Sequence, residues 1–386
     1  MVTASGGPGL PAEALPATAL TFGFCSPILA VMRRLPIRGR GAAENPPNRF
    51  ERLAFEPDPE MFGSEEDAPA PETVYYRDGS RSIIARNESP DVGFDASINP
   101  YRGCSHGCIY CYARPTHEYL GLSAGLDFET RIFVKEDAPE LLRRELSSPR
   151  WEPQVLALCG VTDAYQPIER KLGLTRRCLE VLVEFRNPVG IVTKNHLVTR
   201  DVDLLQELAR YGAASVNISV TTLDTKLQRV MEPRTSIPAR RLAAIEALAR
   251  AGVPVGVMVA PLIPGLNDHE MPAILEAAAG AGARFAGFTL LRLPFAVKDL
   301  FVAWLERHFP ERKEKVLGRL REMRGGKLNE SRFHARMRGE GEYAGQLRAL
   351  FHATARKVGI DTRLPELSTA AFRRPPAGPQ LGLFDG

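Results

Sequence analysis

The sequence predicts an α/β protein built as a partial (β/α)6 TIM-like barrel, with an irregular N-terminal extension and a helical C-terminal extension. Three observations carry that reading. From residue 94 onward, short apolar runs rich in β-branched residues alternate with longer segments of helical periodicity. The runs are apolar almost throughout, as parallel strands covered on both faces must be. Six such units are too few to close an eight-fold barrel, and active groups are expected at the C-terminal strand ends.

The elements follow in order. Residues 1–31 are rich in Ala, Gly and Pro and read as a disordered leader or an over-extended start, because Met32 opens the basic stretch MRRLPIRGRGAAENPPNRF. The apolar segment from Ala17 to Met32 has no Lys or Arg before it and two arginines after it. That polarity is wrong for a secretory signal, and the segment is short for a membrane span. The expected location is therefore the cytoplasm, with no membrane partner. Residues 32–93 form an N-terminal extension, irregular throughout, in which DPEMFGSEEDAPAPE (58–72) reads as a loop or linker.

Barrel strands are expected at 94–99, 155–160, 189–194, 214–219, 255–260 and 285–290, within a barrel spanning 94–295. Helices are expected at 174–185, 201–211, 238–251 and 269–281; in the second, Leu204, Leu205, Leu208 and Tyr211 form one amphipathic stripe. Residues 296–368 read as a helical basic extension containing KDLFVAWLERHF and YAGQLRALFHATARKV, and 369–386 as a flexible tail.

Net charge over the 386 residues is +4, but it is unevenly spread. From Arg307 to the end, 17 Lys and Arg face 9 Asp and Glu, so this segment carries +8 and the rest about −4. A basic C-terminal third is compatible with a polyanionic partner such as nucleic acid, or with a simple solvated surface. Six cysteines occur, three of them within eight residues, which is not the spread of a disulfide scaffold.

Those three lie in INPYRGCSHGCIYCYARPTHEYLG, spaced Cys104-x3-Cys108-x2-Cys111, on the loop after the first strand. Three thiolates on one tight loop can hold three irons of a cubane and leave the fourth iron open to an outside ligand. Gly103 and Gly107 let the backbone wrap closely. A structural zinc would favour four ligands in two spaced pairs, with His106 badly placed as the fourth. A four-cysteine electron-transfer cluster would need Cys25, Cys159 or Cys178 nearby.

The C-x3-C-x2-C loop in this position resembles the radical S-adenosylmethionine (SAM) superfamily. Within it, C-x3-C-x-Y-C-Y and the following βα layout resemble the spore photoproduct lyase-like branch; NPYRGCSHGCIYCYARPTHEYLG and TDAYQPIE resemble a DNA repair photolyase-like bacterial subgroup. The resemblance covers roughly residues 90–295. It implies a [4Fe–4S] cluster on Cys104, Cys108 and Cys111, SAM as second cofactor, hydrogen abstraction from a substrate, and an electron donor such as flavodoxin or ferredoxin. It implies that Tyr110 backs the SAM adenine, that Thr162 contacts the SAM amino group, and that Asp163, Gln166 and Glu169 point at the mouth. Lys194 would pair with the SAM carboxylate, Ser219 would lie near the ribose, and the Ala260 backbone would face adenine. Glu232 and Arg234 either contact SAM or substrate or pair on the surface. Tyr112 matches a tyrosine implicated in hydrogen-atom transfer.

Cys159 is a candidate hydrogen donor, but it stands four residues before Asp163 where the lyases place their cysteine three before, and Gly160 occupies the lyase position. A one-residue slip on a strand reverses the side chain, so the alternative is a small buried hydrophobe. The departure also bears on a thymine-dimer substrate. The expected substrate is nucleic acid, in DNA repair or modification, with a peptide or small-molecule substrate or a non-enzymatic Fe–S DNA-associated binding protein as alternatives. Finally, Gln380, Leu381, Leu383 and Phe384 in QLGLF, behind the leash RRPPAGP, resemble the peptide by which bacterial polymerases and repair proteins dock on the sliding clamp.

Overall fold

The structure is a computed structural model that describes residues 37–51, 71–158 and 160–375. The 1–31 segment with Cys25, most of the 58–72 linker, Cys159 and the QLGLF peptide lie outside the described residues. All described residues belong to one compact unit that begins at Arg34.

Ten strands follow in chain order: β1 (Val74–Arg77), β2 (Ile84–Arg86), β3 (Ala96–Ile98), β4 (Tyr101–Arg102), β5 (Arg131–Val134), β6 (Leu156–Leu158), β7 (Val189–Thr193), β8 (Ala214–Ser219), β9 (Val255–Leu262) and β10 (Phe285–Leu290). Seven of them form one sheet in the order β10-β9-β8-β7-β6-β3-β2. The six from β3 to β10 are parallel neighbours, in register from Ala96 opposite Leu156 to Phe285 opposite Gly256, and β2 caps the β3 edge antiparallel. The two ends of this sheet do not pair, so the barrel is open, as six units require.

The six barrel strands fall on the six apolar runs. β8 is buried at every residue, because helices cover its outer face and barrel side chains fill the inner one. Leu158, Ile191, Val216, Ile218, Val257 and Val259 share one core with Leu179, Leu182, Leu205, Leu208, Ile245, Leu248 and Ile274 from the surrounding helices. These helices run Leu174–Phe185, Val202–Ala209, Pro238–Arg250 and Met271–Gly280. The second, expected at 201–211, is preceded by a tighter 3-10 turn, His196–Asp201, entered through Asn195, whose side chain accepts from the Leu197 amide and caps it.

One expectation changes. The 32–93 extension is not irregular throughout. β1 joins β5 and β4 in a small second sheet, and β2 joins the barrel sheet. These strands are three or four residues long and lack an apolar run, so periodicity alone does not reveal them. The helical extension is more than an appendage. Phe301, Trp304, Leu305, Val316, Leu317 and Leu320 share a core with Cys108, Ile109 and Tyr110 of the cysteine loop. Among the described residues no helix is long and apolar enough to cross a membrane.

Candidate active site

The chain leaves β3 through Tyr101 and enters the cysteine loop, which is held from several directions. The Cys104 amide donates to the Phe128 carbonyl (2.9 Å) and the Ile109 amide to the Met231 carbonyl (3.1 Å). The Gln166 side chain accepts from the Ser105 amide (2.9 Å) and donates to the Gly103 carbonyl (3.2 Å). Arg114, fully buried, donates to the carbonyls of Cys108 (3.0 Å), Ala124 (3.2 Å) and Gly125 (2.8 Å) and pairs with buried Glu129. Glu129 in turn accepts from the amides of Gly41 (3.0 Å) and Ala42 (2.8 Å).

The stretch after Met32 therefore closes the back of the loop. Gly41 has no room for a side chain, since a Cβ there would stand 1.8 Å from the Gly107 carbonyl oxygen. Gly107 itself has φ +68, and a Cβ would stand 2.7 Å from the Glu129 carboxylate. Both the left-handed backbone and the close approach demand glycine.

Cys104, Cys108 and Cys111 are free thiols, the first two buried and Cys111 partly exposed. Cys104 shares a small apolar cluster with Phe128 and Ala113, Cys108 belongs to the neighbouring one, and Cys111 packs against both. Burial raises all three pKa values, that of Cys104 to about 12. Cluster loading must displace these protons, so assembly is favoured at higher pH. Among the described residues no three His, Cys, Asp or Glu side chains gather tightly enough to share one metal ion. A cubane asks instead that each thiolate take its own iron, and three free thiols on one clamped loop supply the three ligands. His106 is not a free ligand: its ring meets Asn195 Nδ2 at 3.2 Å and Asp163 at 3.4 Å, and burial lowers its pKa. Cys178 is buried in the helical core.

Beside the thiols, the C-terminal strand ends bring together most of the other expected residues. Asp163, after β6, accepts from the Thr193 hydroxyl (2.8 Å) and the Lys194 amide (2.8 Å) at the end of β7. The Lys194 ammonium donates to the Ala260 carbonyl (3.2 Å), lies 4.0 Å from Glu232 and 5.8 Å from the centre of the Tyr110 ring. Glu232 is buried and bonded to the Tyr110 hydroxyl, to Thr221 (2.7 Å) and to Arg241. Arg241 reaches the Ser219 carbonyl (3.0 Å), which links β8 to the same network. Burial alone would raise the Glu232 pKa, but Arg241 and Lys194 hold the carboxyl well below the ordinary range. Tyr110 is pushed far up by burial, with Cys108 and Glu232 adding to the shift.

Thr162 is 4% exposed and its hydroxyl donates to the Tyr101 carbonyl (3.1 Å), leaving its oxygen as an acceptor. Tyr112 stands 50% exposed, its hydroxyl on the Gly160 carbonyl (2.8 Å) and the Arg292 guanidinium 5.2 Å from its ring centre.

Two residues expected at the mouth, Gln166 and Glu169, serve elsewhere. Gln166 braces the cysteine loop. Glu169 is a buried strut that accepts from the Tyr101 hydroxyl (2.6 Å) and the Thr175 amide (3.0 Å) and pairs with Arg200 at 2.7 Å. Their positions in TDAYQPIE follow the turn into a helix, so only Asp163 remains at the strand end. Arg234 turns to the N-terminal segment, toward Thr73 (3.4 Å). Sequence reading did not single out Arg114, Glu129, Thr221 or Arg241. Buried charges outside a motif carry no local signal, and their pairing depends on packing between distant segments.

The model of the radical SAM superfamily matches residues 98–278. An uncharacterized protein of Mycobacterium tuberculosis is 38% identical over 244 residues, which cover 62% of this chain and 71% of that protein. An uncharacterized protein of Methanocaldococcus jannaschii is 28% identical over 220 residues, covering 57% and 78% respectively. Among solved structures, a spore photoproduct lyase variant with bound AdoMet and dinucleoside spore photoproduct matches with a TM-score of 0.55 at 18% identity, covering 76% of this chain and 82% of that one. This chain belongs to the radical SAM superfamily, and it is therefore an enzyme rather than a cluster-bearing binding protein. Its cofactors are those of the superfamily, a [4Fe–4S] cluster and SAM.

Proposed function

We propose that this radical SAM enzyme acts on nucleic acid, in DNA repair or modification. The observation that carries the reading is the extent of the fold likeness. It covers 76% of this chain, well beyond residues 98–278, and the matched protein is a lyase whose structure contains a dinucleoside photoproduct. No cysteine follows Cys178, so the C-terminal region offers no thiols for the auxiliary clusters that mark many peptide-modifying relatives.

In this reading Cys104, Cys108 and Cys111 hold the cluster. Cluster and SAM together supply reductive cleavage of the sulfonium and the oxidising equivalent that removes a hydrogen atom from substrate. The protein's own work is orientation and exclusion of water. Lys194, steadied by the Ala260 carbonyl and by Glu232, keeps donor capacity for the SAM carboxylate. Tyr110, locked by its bond to Glu232, presents a fixed aromatic wall to adenine, and the Ala260 backbone faces the same group. Asp163 anchors the β6 and β7 ends, and Thr162 offers its oxygen to the SAM amine. Ser219 borders the ribose through the strand it ends. Tyr112, exposed directly after the third cysteine, passes the hydrogen atom, and Cys159 is the alternative donor.

The test is anaerobic turnover with deuterated substrates. Deuterium from a DNA oligonucleotide should appear in 5′-deoxyadenosine; transfer only from peptides or small molecules would overturn the reading. The QLGLF peptide is proposed to bring the enzyme to the sliding clamp. The 372–386 peptide should bind purified clamp with roughly micromolar affinity and lose it on Leu383→Ala with Phe384→Ala, and equal behaviour of the two peptides would end that idea.

A further inference from the structure

Exposed aromatic side chains are ordinary when they stand alone. Here three stand together. Tyr119 is 73% exposed, Phe50 56% and Phe295 60%. The Phe50 and Tyr119 rings stack, with centroids 5.1 Å apart and planes 29° from parallel. The Arg49 guanidinium continues the run, 5.0 Å from the Phe50 centroid and 3.7 Å from that of Phe295. Four planar groups thus form one ladder drawn from three separate segments of the chain.

The ladder is fastened. Arg49 Nε donates to the Glu118 carboxylate at 2.6 Å, and that glutamate side chain is wholly buried. The Asn48 amide group donates to the carbonyls of Glu118 (2.9 Å) and Leu122 (2.8 Å). Glu118 and Tyr119 belong to the 3-10 turn Arg114–Leu120 directly after the cysteine loop. Phe295 lies in the connection that leaves the C-terminal end of β10, with φ +50. A bulky side chain rarely adopts that left-handed backbone, and such outliers cluster where function holds them. The ladder therefore joins the turn that follows the cysteine loop to the connection leaving β10, at the strand end where barrel enzymes bind substrate.

We propose that Phe295, Arg49, Phe50 and Tyr119 form a stacking platform for unpaired bases of the nucleic acid strand on which the enzyme acts. The proposal rests on the nucleic-acid reading and deepens it. Every base has a π-face, so interleaved aromatic and guanidinium planes hold a strand without reading its sequence. The platform keeps the strand beside the mouth while one nucleotide reaches the thiol loop.

The experiment is fluorescence anisotropy with reconstituted holoenzyme, using a labelled single-stranded oligonucleotide and a duplex of the same sequence. The single strand should bind more tightly than the duplex. Phe295→Leu keeps apolar bulk but loses the plane and should weaken single-strand binding about tenfold. Phe295→Trp should stay within about threefold of the parent. Phe295→Gly suits the backbone, so it should keep thermal stability while losing affinity as Phe295→Leu does. Iron content and SAM cleavage without substrate should be unchanged in all three. If the parent binds no nucleic acid, the platform and the nucleic-acid reading fall together. If the parent binds but Phe295→Leu binds equally well, or the duplex is preferred, the platform alone is overturned.

Discussion

Two buried arginine–glutamate pairs flank the cysteine loop, and they do different work. Arg114 and Glu129 are both fully enclosed, and their remaining polar atoms meet backbone groups of Cys108, Ala124, Gly125, Gly41 and Ala42. Their partners are almost all main chain, so the pair fixes the shape of a loop. Arg241 and Glu232 are as deeply buried, but their partners are side chains and strand ends: Tyr110, Thr221, Lys194 and the Ser219 carbonyl. This second pair holds a lysine whose side chain is still 16% exposed at the mouth. A buried ion pair costs desolvation wherever it sits, so what distinguishes the two is what each one positions. The first positions the thiols, and the second positions a cation for a ligand.

Glu129→Gln should have the largest effect. It leaves the Arg114 charge buried without its counter-charge, at a cost of about 3–5 kcal/mol, and loosens the loop so that reconstituted iron is lost. Denaturant unfolding and iron analysis would check both, and an unchanged midpoint with full iron content would break the comparison on the loop side. Lys194→Ala should act on the other side alone, weakening SAM binding by about one to two decades while the cluster stays intact. SAM affinity equal to the parent's would show that the mouth network positions something else.

A third effect is in pH. His117 lies on the loop side, its Nε2 2.8 Å from the Arg131 carbonyl, and burial lowers its pKa from 6.5 to about 4. Between those two values the unfolded chain binds the proton more readily, so stability falls as pH drops from 6.5 toward 4. Glu232 has the opposite origin, a carboxyl held below its ordinary 4.5, and its contribution is lost only as pH falls below that value. Thermal midpoints measured from pH 7 to pH 4 should therefore have a shallower slope in His117→Phe than in the parent. An identical slope would remove His117 as the source of that acid sensitivity.

The barrel was legible because its signals are local. A run such as VGVMVA carries no polar side chain along its length, and a helix such as LTRRCLEVLVEF repeats its apolar face every turn; each is readable without its neighbours. Strand-end residues were legible for the same reason. Once β7 and β8 are located, Lys194 and Ser219 must lie at the mouth, whatever their partners. β1 and β2 were missed because four- and three-residue strands have too few positions for a pattern. Glu169 was misplaced because the turn after Asp163 rotates TDAYQPIE away from the mouth.

The order of the six barrel strands and the spacing of three cysteines were determined by the sequence alone, since both are written in nearest neighbours along the chain. Only the tertiary structure decided that Gly41 closes the back of the thiol loop, that Glu232 answers Arg241 and Lys194 together, and that Arg49 reaches Phe295 across most of the chain's length. Those contacts join segments with no local signal for one another. A buried charge is stable only where its counter-charge has already been brought by folding, and that placement depends on the whole fold.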